Sequence, residues 1–271
     1  MVTEDGTRAA RVDADGYTEL DVADVGQLLS QPGWREYAAA QRGGVYDPAA
    51  VRLAPVVPRP GKVVCVGLNY RSHILEMGRE LPAYPTLFAK FTDALIGPAD
   101  DIALPPESEA VDWEAELVVV LGATVRRADN DTAAAAIAGF TVMNDVSMRD
   151  WQFRTREWLQ GKTFESATPI GPILVTPDEL PGGTTPRLVI SAAVNGEVMQ
   201  KADTSDLVFT PVDLVRYVST ITTLRPGDLI ATGTPGGVGH ARKPARYLRD
   251  GDVVVTEIEH IGRLTNRVRT A

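Results

Sequence analysis

Cysteine is almost missing from the 271 residues, with Cys65 the single example. One thiol excludes an intramolecular disulfide framework and any zinc site built from several thiolates. Cys65 lies in Lys62-Val-Val-Cys-Val-Gly67, an apolar strand-like run, and is expected to be a packing residue. Long hydrophobic runs are absent too: stretches such as Leu117 to Leu121 and Val253 to Val255 fall far short of the roughly 20 residues that a spanning helix needs. The first residues, Met1-Val2-Thr3-Glu4-Asp5, lack the basic start and apolar stretch of a secretory signal. A cytoplasmic protein with no membrane contact is the expectation.

Positive charge is also in short supply. Lysine plus arginine number 27 against 36 acidic residues, a net charge of −9, which repels a phosphate backbone and argues against nucleic-acid binding. Only five lysines occur beside 22 arginines, and only His73, His240 and His260 can supply an imidazole. Three familiar nucleotide and hydrolase motifs fail. Gly161-Lys162-Thr163 has Arg156 where a phosphate-binding loop needs its first glycine, Gly237-Val-Gly239 runs into Arg242 where a dinucleotide fingerprint needs its third, and there is no Gly-x-Ser-x-Gly elbow.

What is plentiful is glycine and proline, 24 and 19, in a chain that is 44% hydrophobic. That combination suits a turn-rich β protein with a substantial core. Residues 1–55 hold nine acidic residues, five arginines and no lysine, and read as a small α+β unit. Asp15-Gly16 is a turn between two short strands, and helices are expected at about 22–30 and 33–41. Three prolines in Leu53 to Gly61 then suggest an extended connector, so the chain is expected to divide into a small N-terminal domain, 1–55, and a larger one, 56–271. In the larger part, strands are expected at 63–67, 87–90, 114–121, 140–146, 188–194, 228–232 and 252–258, with Asn195-Gly196 as a hairpin turn. Helices are expected at 71–77, 132–137, 147–155 and 211–220.

Asp112-Trp-Glu-Ala-Glu-Leu117 is the most informative stretch. Residues two apart in a strand share a face, so Glu114 and Glu116 stand about 7 Å apart at the base. The apolar run after them leads into a core, where two uncompensated carboxylates are costly. A divalent cation would offset them, with Asp145 at the end of Gly139-Phe-Thr-Val-Met-Asn-Asp145 as a third oxygen donor. The plainer alternative is a solvated strand face, with Asp145 capping the following helix. His73 and Glu76 are three apart on an expected helix; a neighbouring carboxylate fixes an imidazole tautomer and makes it a general base, although many such pairs are ordinary surface neighbours.

Taken in order, Gly67-Leu-Asn-Tyr-x-x-His-x-x-Glu76, Pro85-Thr-Leu-Phe-x-Lys90, Asp112-Trp-Glu-x-Glu-Leu117, Asn144-Asp-x-x-x-Arg-Asp-x-Gln152, Lys162, Gly171-Pro172 and Thr232-Gly-Thr-Pro-x-Gly-Val-Gly239 resemble the fumarylacetoacetate hydrolase family over roughly 200 residues. The resemblance implies an α+β fold of mixed, rolled β-sheets with few helices, and a homodimer. It implies Mg²⁺ or Mn²⁺ on Glu114, Glu116 and Asp145, a water-activating dyad of His73 and Glu76, and Lys162 facing the substrate. Tyr70, Lys90, Arg149, Gln152, Gly233 and Thr234 fall at positions that line the family's substrate site. Glu165 stands where the family more commonly has aspartate. The expected activity is metal-dependent hydrolysis of a carbon–carbon bond in an acylpyruvate or other β-diketo acid through an enolate. A 2-oxo acid decarboxylase, a keto–enol isomerase or hydratase, and a scaffold recruited for ligand binding or cyclisation are the alternatives. The expected partner is a small 2-oxo acid or 1,3-dicarbonyl compound.

Overall fold

Every residue of the strand Ala115–Leu121 is shielded from water. The computed structural model, which describes residues 1–271, shows why: this strand is the middle member of a seven-stranded sheet covered on both faces. Across the sheet the order is Thr86–Lys90, Val63–Gly67, Leu229–Ala231, Ala115–Leu121, Ile137–Asn144, Thr168–Val175 and Leu95–Ile96. Most neighbours are antiparallel, but Val63–Gly67 runs parallel to Leu229–Ala231, and Thr168–Val175 parallel to Leu95–Ile96. Alternation sorts the apolar run between two cores. Leu117, Val119 and Leu121 join Phe140 and Val142 on one side, whereas Val118 and Val120 join Val63, Cys65, Ala138 and Met143 on the other. Cys65 has no exposure, and burial pushes its thiol well above the usual range, as a packing residue requires.

A second sheet of five strands covers the larger core, in the order Glu197–Asp203, Val189–Val194, Val253–Ile258, Gly262–Thr270 and Ile102–Leu104. Its inward residues Ile190, Ala192, Val254 and Leu264 pack in the same cluster as Leu117 and Phe140. Asn195 and Gly196 both adopt positive φ, 52° and 81°, in the turn between the first two of these strands, as the sequence led us to expect. The helix Pro211–Ile221 starts with a reciprocal cap between Thr210 and Asp213 and buries Leu214, Val215 and Val218. At the N-terminus a three-stranded sheet, Ala10–Asp13, Gly16–Glu19 and Val45–Tyr46, accompanies the helices Val25–Leu29 and Trp34–Ala40. Leu29 packs with Val57 and Val63, so these helices share a core with the large sheet. The fold is α+β, sheet-rich and curled around the seven-stranded sheet. No helix is long and apolar enough to cross a membrane.

Two departures from the sequence expectation have physical causes. The helix expected over 147–155 is one turn only, Arg149–Gln152, because Ser147–Met148 pairs as a strand with Val111–Asp112 and the Arg149 N–H is held by the Ala110 carbonyl. The strand Thr168–Val175 was not foreseen because Pro169, Gly171 and Pro172 interrupt its pattern; its pairing with Ile137–Asn144 shifts register there.

Candidate active site

Strand register brings the acidic residues together. Ala115 pairs with Asn144, so the residues just outside the ladder, Glu114 and Asp145, face each other, and the Asp145 N–H donates to the Glu114 carbonyl at 2.8 Å. Glu116 follows on the same strand. One carboxylate oxygen from each of Glu114, Glu116 and Asp145 lies within 4.8 Å of the others, and all three residues are buried. The solvated-face alternative is therefore set aside. Asp145 does not cap the next helix either, because no side chain caps that helix at Met148.

Cations surround this cluster. Lys162, at the end of the short helix Leu159–Lys162, donates to Glu114 Oε2 at 2.6 Å and to Asp145 Oδ2 at 2.8 Å. Lys90 donates to Asp145 Oδ1 at 2.6 Å and to the Val146 carbonyl at 3.1 Å. Arg149 pairs with Glu114 Oε1 at 2.7 Å, donates to Asp112 Oδ2 at 2.8 Å, and reaches Gln152 Oε1 at 2.9 Å. Burial would raise the Asp145 carboxyl, but Lys162 and Lys90 outweigh it and hold it at about 2. Burial likewise opposes the charged form of Lys162, yet Asp145 and Glu114 prevail and keep its ammonium proton firmly bound.

Glu116 is the exception. Burial pushes its carboxyl well above the usual carboxylate range, and the charges of Asp145 and Glu114 push it further. A single hydrogen bond reaches it, from the Gly233 N–H to Oε2 at 2.9 Å. Asp112, Glu114, Glu116 and Asp145 thus face three cations, Lys90, Lys162 and Arg149. Close by, Asn144 Nδ2 and Thr232 Oγ1 are buried without a partner. Hard oxygen donors, a carboxylate short of compensation and unsatisfied polar atoms fit a small divalent cation with its waters, Mg²⁺ or Mn²⁺.

His73 and Glu76 stand on the helix Arg71–Glu76, the first half-buried and the second exposed. With Tyr70, Lys201, Asp203 and Pro235 they border a cavity of about 430 Å³. A Cβ on Gly236 would lie 3.1 Å from His73 Nδ1 and 3.5 Å from Glu76 Oε2, so a glycine there lets the Thr232–Gly239 loop press against both side chains. Burial lowers the His73 pKa more than Glu76 and Glu114 raise it, leaving the ring neutral near pH 7.

Of the residues expected to line a substrate site, Tyr70 is buried with its hydroxyl unpartnered, and Thr234 accepts Gln200 Nε2 at 2.8 Å. Lys90, Arg149, Gln152 and Gly233 hold the carboxylates and one another. Sequence reasoning passed over three buried polar residues that organise the site. Asp112 accepts N–H groups from Trp113, Gly239 and His240 as well as Arg149. Asn69 donates to the Phe209 and Thr232 carbonyls, and Gln200 accepts the Ala115 N–H. Asp112 and Asn69 lie inside quoted motifs and were legible as polar residues in apolar runs; Gln200 had no such signal.

A buried set of carboxylates and ammonium groups beside a neutral imidazole, with the carboxylates carried at the ends of the central strands of a mixed sheet, is the arrangement of an enzyme site. Residues 62–269 match the family model described as Fumarylacetoacetate (FAA) hydrolase C-terminal, and the chain belongs to that family of enzymes. It is 48% identical over 217 residues, 80% of this chain and 68% of the relative, to the oxaloacetate tautomerase Fahd2a, mitochondrial, of Rattus norvegicus. Among solved structures it resembles the 5-carboxymethyl-2-hydroxymuconate delta-isomerase of Mycobacterium smegmatis, with a TM-score of 0.82 and 32% identity over 100% of this chain and 98% of that one. It also resembles fumarylpyruvate hydrolase from Pseudomonas aeruginosa in complex with Mn²⁺ and pyruvate, with a TM-score of 0.68 and 32% identity over 78% of this chain and 90% of that one.

Proposed function

We propose that this enzyme interconverts the keto and enol forms of a small 2-oxo acid, oxaloacetate above all, with Mg²⁺ or Mn²⁺ held by Glu114, Glu116 and Asp145. The observation that carries the reading is the meeting of three buried carboxylate oxygens within 4.8 Å, one of them on the under-compensated Glu116. A bound divalent ion would supply Lewis-acid polarisation of the two oxygens of a 2-oxo carboxylate. The chain's own residues do the rest. His73, neutral near pH 7, removes a proton from C3 and returns it to the C2 oxygen. Lys162 keeps its positive charge and would stabilise the negative charge that grows on that oxygen. Glu76, next to His73 on its helix, favours the protonated ring while it carries the proton. The small polar cavity beside His73 suits a short, polar substrate better than a long alkyl or aryl one.

Hydrolysis of an acylpyruvate is the second reading, favoured by the position of His73 and Glu76 together at the cavity, where the imidazole would deprotonate a water instead of carbon. The two readings separate in one experiment. Purified protein with Mg²⁺ or Mn²⁺ is given oxaloacetate, with decay of the enol absorbance followed, and acetylpyruvate, with pyruvate release followed. Faster enol decay without pyruvate supports the tautomerase; pyruvate release supports the hydrolase; neither, with metal bound, removes both.

A further inference from the structure

The helix that carries His73 and Glu76 is six residues long, and its N-cap residue, Tyr70, provides no side-chain acceptor. So short a helix is marginal by itself, and its first N–H groups need partners from elsewhere. One comes from far along the chain. Asp206 Oδ2 accepts the Ser72 N–H at 3.0 Å and Asp206 Oδ1 accepts the Ser72 hydroxyl at 3.1 Å, a contact spanning 134 residues. Asp206 ends the 3₁₀ turn Thr204–Asp206, which follows the strand Glu197–Asp203.

The residues after Asp206 grip the root of the same helix. Tyr70 bridges to Leu207, and the Val208 N–H donates to the Asn69 carbonyl at 2.8 Å. The Asn69 side chain accepts the Phe209 N–H at 2.8 Å and donates to the Phe209 carbonyl at 3.0 Å. Residues 206–209 therefore form a bracket with two jaws: a buried one on Asn69, and an exposed one in which Asp206 holds the first turn of the helix. Only Ile74 anchors the rest of the helix in the core; Leu75 and Glu76 face solvent.

We propose that Asp206 is a positioning residue of the active site, capping from a distance the helix that bears His73 and thereby setting where the imidazole stands relative to the carboxylate cluster. Its negative charge at the N-terminal end of the helix acts in the same sense as the hydrogen bonds. The inference rests on His73 being the proton-transfer group. Asp206 and Ser72 also border the cavity beside His73; the role proposed is exerted through the helix, and a KM that rises more than twofold in Asp206→Ala would assign Asp206 to the substrate instead.

The test uses the full chain with Mg²⁺ or Mn²⁺ and four variants: Asp206→Ala, Asp206→Asn, Ser72→Ala and His73→Ala. In Asp206→Ala, amide exchange in residues 70–77 should quicken about tenfold, the scale expected on losing a helix cap, while exchange in Ala115–Leu121 stays unchanged. Its kcat for oxaloacetate should fall about tenfold with KM within about twofold of wild type. Asp206→Asn keeps an acceptor for the Ser72 N–H, and Ser72→Ala keeps that N–H, so both should stay within about threefold of wild type. Unchanged exchange in Asp206→Ala overturns the proposal, as does an Asn variant that loses as much as the Ala variant. Quickened exchange with undiminished kcat also overturns it; the His73→Ala arm then shows whether the fault lies with the positioning role or with His73 as the base.

Discussion

Asp112 accepts the Nε–H of Arg149 at 2.8 Å in a place that water does not reach, and Arg149 turns its other edge to Glu114 at 2.7 Å. Asp112 thus supports a proposed metal ligand through one intermediary while pinning the Gly239 N–H of the opposite loop at 2.7 Å. Removing Asp112 leaves the buried guanidinium with Glu114 as its remaining anionic partner and takes the acceptor from the Trp113, Gly239 and His240 N–H groups. Asp112→Ala should destabilise the protein by about 3–5 kcal/mol in urea denaturation. A loss below about 1 kcal/mol would mean that the pair is not held as described.

Glu116→Gln should have two effects of opposite sign. The carboxyl of Glu116 is raised well above its usual value, so in the metal-free protein its charge opposes folding once the pH exceeds the unfolded carboxylate value. Stability is greater where the group is protonated and declines as the pH rises. At pH 7 without metal, Glu116→Gln should therefore be more stable by about 1–3 kcal/mol in thermal or urea melts. With Mn²⁺ the order should reverse: calorimetry should show the affinity of the variant reduced at least tenfold. A variant that binds Mn²⁺ as tightly as wild type removes Glu116 from the ligand set.

Gly161 lies against the backbone of Gln152; a Cβ there would overlap the Gln152 N and sit 2.5 Å from its Cα. Gly161→Ala should force apart the helices Leu159–Lys162 and Arg149–Gln152 and draw Lys162 off Glu114 and Asp145. The expected outcome is a loss of about 1–3 kcal/mol of stability and more than a tenfold fall in kcat, read from denaturation and steady-state kinetics. A fully active variant would show that Lys162 does not need its present position.

The His73 ring is held below its usual pKa of 6.5 chiefly by burial, while Glu76 works in the other direction. A base is active when unprotonated, so kcat/KM should be flat near neutrality and fall only below pH 6.5. Glu76→Gln removes a raising influence and should move the acid limb to still lower pH, by up to about one unit. A limb that stays in place, or moves upward, would assign it to another group.

Much of the architecture could be read along the chain because it is local. The β-branched apolar run in Ala115–Leu121 and the Asn195-Gly196 turn both state their geometry within a few residues. The long-range contacts could not be read this way. The meeting of Glu114 with Asp145 depends on strand register, and the contact of Ser72 with Asp206 joins segments that share no local pattern. Glycines were visible but ambiguous. Gly237 and Gly239 resembled part of a nucleotide fingerprint, yet a side chain at either would strike backbone, at the Met199 and Arg246 carbonyls respectively. The strand Gly262–Thr270 was not among the expected strands; its arginines lie on the exposed face, and Leu264, Asn266 and Val268 alternate inward between them.

The strand sealed on both faces has a bearing on how the molecule wears out. Glu116 is part of that strand, and Glu114 adjoins it, so the proposed anchor for the cation is among the last regions to open as the fold loosens. The helix of His73 is a thin outer piece held by few bonds. Heat or mild denaturant should therefore silence turnover while manganese is still retained, and cooling should bring it back, because the part that fails first has an intact template to return to.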